Sequence, residues 1–446
     1  MELPYGTSAY SRKRGNLPDL ELVNMFVEQT ASDDKGAVLQ SRKGLVEVAS
    51  IGGGPIQATF QKDGVFAGDR FTISRGLAYR GTTLLGAVVG TGVAKIVASD
   101  IEVLFNAGGP IYSYNGTNFA LVNFLGGELA RTILYTGNRF LALLNSTGIW
   151  HFSAVLNGRL WDGADFATAE SEPDELRDMV TLDGVLILLG AESVEFWGPN
   201  GDPELPYTPI QQRVFEQGVI GTGCTVVVDN TFFWIGADKI TYRNGEVPIA
   251  VADDGIVERA GVSNSFRLYL LEDERHKFLC QRHDANTMVL DVTSQQWCEF
   301  KSYGRDNFRA GPNFGDDDTG QIWRWGDYID AGGELERLFM AGSEMDASSL
   351  INNIRVTCEI GTTPYLVGAH IDPVIEMRTS NDAGNTWTRW RSKTLGVQGE
   401  YRNRVRWQKV GLFDDPGFLA QWRVTSPTGF RLSRIGVNEQ SGGRSR

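Results

Sequence analysis

The sequence predicts an all-β protein: a β-propeller of six to seven blades followed by a C-terminal β-sandwich. Three observations carry this expectation. The 446-residue chain spreads 53 glycines and 11% aromatics over short alternating apolar runs, and stretches of helical period are scarce. Strand pairs recur at a near-constant spacing through the middle of the chain. The last quarter alternates with period two but leaves that spacing.

The repeats are IEVLFNAGGPIYSYNG from Ile101, RFLALLNSTGIWHFS from Arg139, VLILLGAESVEFWG from Val185, TFFWIGADKITYRNG from Thr231 and KFLCQRHDANTMVLDV from Lys277. Each has an apolar run, a short turn and an alternating strand with aromatic or aliphatic side chains. Their starts lie 38, 46, 46 and 46 residues apart, within the ~40 to 50 residue period of propeller blades. DRFTISRGLAYRG from Asp69 and QIWRWGDYID from Gln321 extend the series at either end. Radial closure protects the edges of such short sheets.

The stretch at 336–361 breaks the period. Beyond it, IRVTCEIG, PVIEMRTS, WTRWRSKTLG, YRNRVRWQKVG, FLAQWRVTSP and FRLSRIGVNEQ supply six alternating strands, which suit a sandwich or jelly roll. The tail GGRSR is expected to fray. The N-terminal segment is no blade: LPDLELVNMFVEQT, Leu17 to Thr30, follows a basic SRKRGN and serves either as an arm to a neighbour or as a ring-closing strand. The expected division is 1–58 for the arm and ring-closing segment, 59–335 for the propeller and 336–446 for the sandwich.

Composition narrows the function classes. A net charge of -13 and a pI near 5.0 give no overall basic footprint for gripping a phosphate backbone. The longest apolar run, LLGAVVGTGVA from Leu84, falls far short of the ~20 residues of a membrane-spanning helix, so no membrane span is expected. The start MELPYGTSAYSRKRGN lacks an apolar signal core, so synthesis in a cytosol is expected. Cys224, Cys280, Cys298 and Cys358 are widely spaced and read as free thiols rather than a disulfide framework or zinc ribbon.

One motif stands out. SNDAGNTW fits S-x-D-x-G-x-T-W and looks like the Asp-box of sialidases. In that motif the carboxylate and backbone amides of a hairpin turn satisfy one another while the tryptophan packs beneath. Ser380, Asp382, Gly384, Thr386 and Trp387 are therefore assigned a structural role in the sandwich, with Asp382 locking the turn. A sialidase-like propeller would carry several copies in its blades, and the repeats above carry none.

Other candidate chemistry is weak. Glycoside hydrolysis usually needs a carboxylate pair, which spacing alone cannot nominate among 55 acids. GDDDTG, Gly315 to Gly320, lacks the EF-hand ligand pattern and reads as a solvated turn. His276, Cys280 and His283 lie close in sequence, but on a strand His283 faces away from the other two, which argues against zinc. His151 and His370 have no Ser or Cys motif nearby, and GTGVAK from Gly90 lacks both nucleotide-loop patterns. The basic, tryptophan-rich C-terminal strands read as a charged outer face over an aromatic inner one, with a phosphate-facing or partner-facing patch as the lesser alternative. No enzyme activity, cofactor or metal is expected; the competing expectation is a propeller glycosidase or carbohydrate-binding protein.

Several segments together carry a resemblance. VNMF at Val23, ESEPDELRDMVTLDGVLILLGAESVEFWGP from Glu170, EQGVIGTGC from Glu216, SQQWCEF from Ser294 and RVRWQKVGLFDDPGFLAQWRVTSP from Arg404 resemble, in this order, the tail hub proteins of short-tailed bacteriophages, also called packaged DNA stabilisation or nozzle proteins. The resemblance implies a structural virion protein. It would form a homo-oligomeric, hexameric ring below the portal and its adaptor protein, with a tail needle or tip closing its distal end and tail spikes or fibres nearby. It would retain packaged double-stranded DNA and conduct it during ejection without tight binding, consistent with the acidic charge.

Overall fold

The computed structural model describes residues 3, 5, 6, 8, 9, 20–29, 37–169, 174–261, 263–345, 348–361 and 371–438. Six antiparallel units of four strands follow one another along the chain, five as separate sheets and the sixth as part of a larger one. The first runs through Ile56–Phe60, Phe71–Ser74, Leu77–Arg80 and Thr83–Ala87, and the second through Lys95–Ala98, Val103–Asn106, Tyr112–Tyr114 and Phe119–Leu121. The third spans Ala130–Thr136 to Asn157–Thr168, the fourth Leu176–Leu182 to Tyr207–Phe215, the fifth Thr225–Val228 to Ile249–Ala250 and the sixth Arg267–Asp273 to Gln296–Phe300.

These sheets are the blades of a β-propeller. The first strand of each lies against the first strand of the next, and the 3-10 turn Pro312–Phe314 touches both Arg267–Asp273 and Ile56–Phe60, which completes the ring. Beside that turn Gln321–Trp325 pairs antiparallel with Leu45–Ser50 in a two-stranded seventh sheet, built from both sides of the propeller sequence. The sequence repeats fall on the second and third strands of blades two to six, for example Arg139–Leu144 with Ile149–Ala154 and Val185–Gly190 with Val194–Pro199. Asp69 to Gly81 supplies the same two strands of blade one.

Local chemistry explains the short strands. Gly137 with Asn138 and Asp183 with Gly184 are two-residue hairpin loops in which both residues have positive φ, at 57° and 61° and at 49° and 80°. This geometry matches the twist of the flanking strands and favours Asn, Asp and Gly. Between blades the apolar second and third strands interlock through aromatic rings: Trp150 meets Trp197 edge-on at 5.6 Å, and Phe196 lies 6.1 Å from Phe232. Helix is scarce, as expected: among the described residues the α-helix is Asp254–Ala260, capped by the Asp253 carboxylate on the Ile256 amide.

Two further sheets form the sandwich. One holds, in order, Leu22–Val23, Arg337–Glu344, Gly417–Val424, Val374–Ser380 and Arg391–Thr394; the other holds Met25–Gln29, Ala37–Ser41, Arg431–Val437, Ser349–Cys358 and Arg406–Phe413. Trp407, Trp422, Phe339, Ile354 and Phe418 are fully buried in its interior, with Trp422 and Phe339 stacked at 5.3 Å. The 1–58 segment thus distributes its strands: Leu22–Val23 joins one sandwich sheet, Met25–Gln29 and Ala37–Ser41 the other, Leu45–Ser50 the seventh propeller sheet, and Ile56–Phe60 opens blade one. Val23 also pairs in parallel with Glu299 of blade six, so one nine-stranded sheet runs from the propeller into the sandwich.

Candidate functional site

The SNDAGNTW turn joins Val374–Ser380 to Arg391–Thr394, which pair antiparallel. Its polar groups close on one another. Asp382 Oδ1 accepts from the Thr386 amide at 2.8 Å, and Oδ2 accepts from the Thr386 hydroxyl at 2.6 Å. The Ser380 hydroxyl donates to Asp382 Oδ1 at 2.7 Å and accepts from the Gly384 amide at 2.9 Å. The Thr386 and Ser380 hydrogen bonds hold the Asp382 carboxyl down to about 2, so it stays ionised and is unsuited to donating a proton. Ala383 and Gly384 take left-handed φ of 55° and 87°, which lets the loop reverse tightly.

Trp387 packs on Leu20, Met340 and Leu419, but its ring face is covered from outside. The Arg378 guanidinium stacks 4.6 Å from both Trp387 and Trp390, and Arg423 stacks 4.5 Å from Trp390. Glu376 accepts two bonds from Arg423, at 2.6 and 2.9 Å, and Gln421 accepts from Arg378 at 2.6 Å. The expectation of charges outside and aromatics inside therefore holds for Trp407 and Trp422 but fails for Trp387 and Trp390. Those two tryptophans stand in the charged face because arginine stacking lets an indole lie at a partly wet surface.

The remaining sequence candidates are dispersed. His276 Nδ1 is 3.0 Å from Asp291 Oδ2, and Cys280 is fully buried in the core. His283 Nε2 accepts from the Gln281 amide nitrogen at 2.9 Å, which fixes a neutral ring, and burial pushes its pKa down to about 4. Among the described residues no group of three or more His, Cys, Asp or Glu is arranged to hold a metal ion. His151 is buried against Phe124 and Phe166, and His370 lies outside the described residues. All four cysteines are free thiols; burial pushes Cys224 and Cys358 up to about 12, which leaves no reactive thiolate there at neutral pH.

The acidic string at 315–320 is not the solvated turn expected from sequence. Asp316 is fully buried, accepting from the Asp318 and Thr319 amides and from Trp323 Nε1 at 2.9 Å, and Asp317 pairs with Arg282 and Arg305. The string is the polar clamp of the closing turn. Its partners come from blade six and the seventh sheet, so sequence could not pair them.

The innermost strands of all six blades surround a cavity of about 660 Å³, which sequence reasoning missed. Its carboxylates are Asp178, Asp284 and Asp317. Asp178 accepts from the Met179 and Gly223 amides, and the Ser263 hydroxyl holds Asp284 below the usual carboxylate range. A glycosidase needs one carboxyl raised to act as an acid, and Asp284 is shifted the other way.

Comparison with known proteins adds the decisive observation. The chain matches the family model described as "Bacteriophage P22 Gp10, beta-propeller" over residues 1–309 and the one described as "Bacteriophage P22 Gp10, beta-sandwich" over residues 338–440. The chain belongs to the bacteriophage P22 Gp10 family. It is a phage structural tail protein, a virion component, and its propeller and sandwich are the two domains of that family in the same order. No curated protein matches the chain. Solved structures similar to it include Kluyveromyces lactis Hsv2, at 9% identity and TM-score 0.35 over 63% of this chain and 97% of that one. Another is an exo-beta-1,3-galactanase from Phanerochaete chrysosporium, at 9% identity and TM-score 0.33 over 79% and 97%. Likeness at that level says nothing about activity.

Proposed function

We propose that this Gp10-family protein is the tail hub, or nozzle, of a short-tailed phage. It forms a homo-oligomeric, hexameric ring below the portal and its adaptor protein. It retains packaged double-stranded DNA and conducts it during ejection, with a tail needle or tip closing the distal end and tail spikes or fibres attached nearby. Assembly takes place in the host cytoplasm. The observation that carries this reading is the match of both domains, in order, to one phage structural family.

Two physical features support it. The formal charge of -13 disfavours tight contact with a polyanion, and each phosphate a protein neutralises adds counterion-release affinity that would slow passage. Pairing of Leu22–Val23 with both blade six and Arg337–Glu344 covers sheet edges that would otherwise be open, which suits a part that must not aggregate before it assembles. The protein acts without catalysis: its Asp-box carboxylate is ionised and tied into a turn, and two of its thiols are held protonated by burial.

Negative-stain images of the chain mixed with its portal and adaptor test the assembly. A ring at the distal end is expected; free monomers only, under conditions where portal and adaptor join, would sink the reading. A reducing-sugar assay on a glycan panel tests the enzymatic alternative. Turnover that disappears when Asp178 or Asp284 is replaced by Asn would establish a glycosidase instead.

A further inference from the structure

The axial cavity of the propeller is lined by equal numbers of acidic and basic side chains, yet their hydrogen bonding is unequal. Each acid has donors, although Asp317 Oδ1 accepts from none among the described residues. Asp178 accepts from two backbone amides at 2.9 and 3.0 Å, with Lys95 Nζ at 3.7 Å. Asp284 accepts from the Ser263 hydroxyl at 2.8 Å and the Asn264 amide at 3.4 Å. Asp317 takes two arginines, Arg282 and Arg305. Among the cations Arg282 is committed to Asp317 and to the Phe308 carbonyl at 3.2 Å.

Arg267 differs. A guanidinium carries five N–H donors, and among the described residues this one makes a single long hydrogen bond, 3.4 Å to the Thr222 carbonyl. It is partly buried, and burial lowers its pKa from the ordinary arginine value. Asp178 is near enough to act on it through space, but that carboxylate's oxygens are already occupied by amides. Room has been left for the head group: a Cβ at Gly223 would sit 2.6 Å from Arg267 Nη1. The remaining guanidinium donors are left for solvent or a ligand to meet.

We propose that the axial cavity binds a small-molecule oxyanion, a phosphate or carboxylate group, on the Arg267 guanidinium, with Lys95 as the second cation. The planar fork of arginine suits two oxygens of either group. At about 660 Å³ the cavity falls within the ~300–1,000 Å³ of small-molecule sites and suits a metabolite-sized acid rather than a nucleic-acid duplex. The inference stands apart from the tail-hub reading, because the cavity lies within one subunit's propeller.

The test uses the full chain, titrated calorimetrically with inorganic phosphate and, separately, with citrate, against sodium chloride of equal ionic strength. Saturable binding of at least one anion is expected, with a Tm rise of about 5 °C at a hundredfold excess over Kd. Phosphate alone binding assigns a phosphate ligand, citrate alone a carboxylate, and both a general oxyanion site. Arg267→Met should weaken binding at least tenfold, whereas Arg324→Gln, at an exposed position of the seventh sheet, should leave it unchanged. No binding beyond chloride, or full binding by a folded Arg267→Met, overturns the proposal. Should Arg267→Met fail to fold by circular dichroism, Lys95→Met decides: a tenfold loss supports the site and unchanged affinity overturns it.

Discussion

Arg42→Met is the most informative single perturbation of the fold. The Arg42 side chain is fully buried and meets an equally buried Asp330, Nη1 to Oδ1, at 2.9 Å. Its Nε donates to Asn24 Oδ1 at 2.7 Å, Nη1 to the Lys43 carbonyl at 2.7 Å and Nη2 to the Lys301 carbonyl at 2.5 Å. The guanidinium also lies 4.8 Å from the Phe308 ring. Methionine fills a similar volume but leaves Asp330 with only the Leu45 and Tyr303 amides, at 3.2 and 2.9 Å, and no counter-charge. Breaking a buried pair from one side costs about 3–5 kcal/mol, because the survivor is an uncompensated buried charge. At about 2 °C per kcal/mol for a cooperative unit of this size, Tm should fall by about 6–10 °C. Urea unfolding followed by tryptophan fluorescence measures the loss, and Asp330→Asn with the double variant completes the cycle. A coupling of about 2 kcal/mol is expected, insensitive to 0.5 M salt because no solvent reaches the pair. A loss below about 1 kcal/mol, or additivity of the two substitutions, would refute the reasoning.

Three other outcomes follow from the structure. The Asp382 carboxyl should titrate near 2 by carbon-detected NMR, and Thr386→Val should move it toward the ordinary 3.8; the turn's contribution is present above about pH 4 and is lost as pH falls toward 2. A midpoint at 3.8 in the unaltered chain would show that the hydrogen bonds are not made. His283 is held neutral with its pKa down at about 4 from 6.5, so the unfolded chain binds the extra proton and stability should drop by about 3 kcal/mol as pH falls from 6.5 to 4. His283→Gln should flatten that slope, and an unchanged slope would assign it to other groups. Trp407→Ala removes a fully buried indole and its 2.8 Å bond to the Arg391 carbonyl, costing about 3–5 kcal/mol in the transition that unfolds the sandwich.

What was legible in the sequence follows burial. The second and third blade strands, such as Arg139–Leu144 and Val185–Gly190, are buried along most of their length, so they stand out as apolar runs at a fixed period. The innermost strands do not. Thr132, Asp178, Thr225 and Arg267 face the axial cavity and interrupt the pattern, so the cavity left no trace in hydropathy. Long-range pairing is likewise silent: Leu39 meets Leu432, and nothing local to Ala37–Ser41 tells of a partner nearly 400 residues away. Nothing local marks Arg42 and Arg337 as buried, because their partners, Asp330 and the carbonyls of Val424, Ser426 and Thr428, are assembled only by the fold. The Asp-box was legible because every group in it lies within eight residues.

The junction between the two domains turns on one residue. Val23 belongs to the sheet shared by blade six and the sandwich, and Met25 belongs to the opposite sandwich sheet, so the chain must change layers at Asn24. It does so in the left-handed region, with φ of 55°. The side chain then serves as a hub: Oδ1 accepts from Arg42 and from the Lys301 amide at 2.9 Å, and Nδ2 donates to the Glu336 carbonyl at 2.7 Å. Backbone and side-chain contributions can be separated. Asn24→Gly keeps the left-handed conformation at little cost and loses the bonds; Asn24→Ala loses the bonds and adds about 1–2 kcal/mol of backbone strain. Glycine should therefore be the milder substitution by about that amount in urea unfolding. Equal stability of the two variants would mean that the chain can change layers without the left-handed residue, and the propeller-to-sandwich connection would then rest on the shared nine-stranded sheet and the Arg42 cluster.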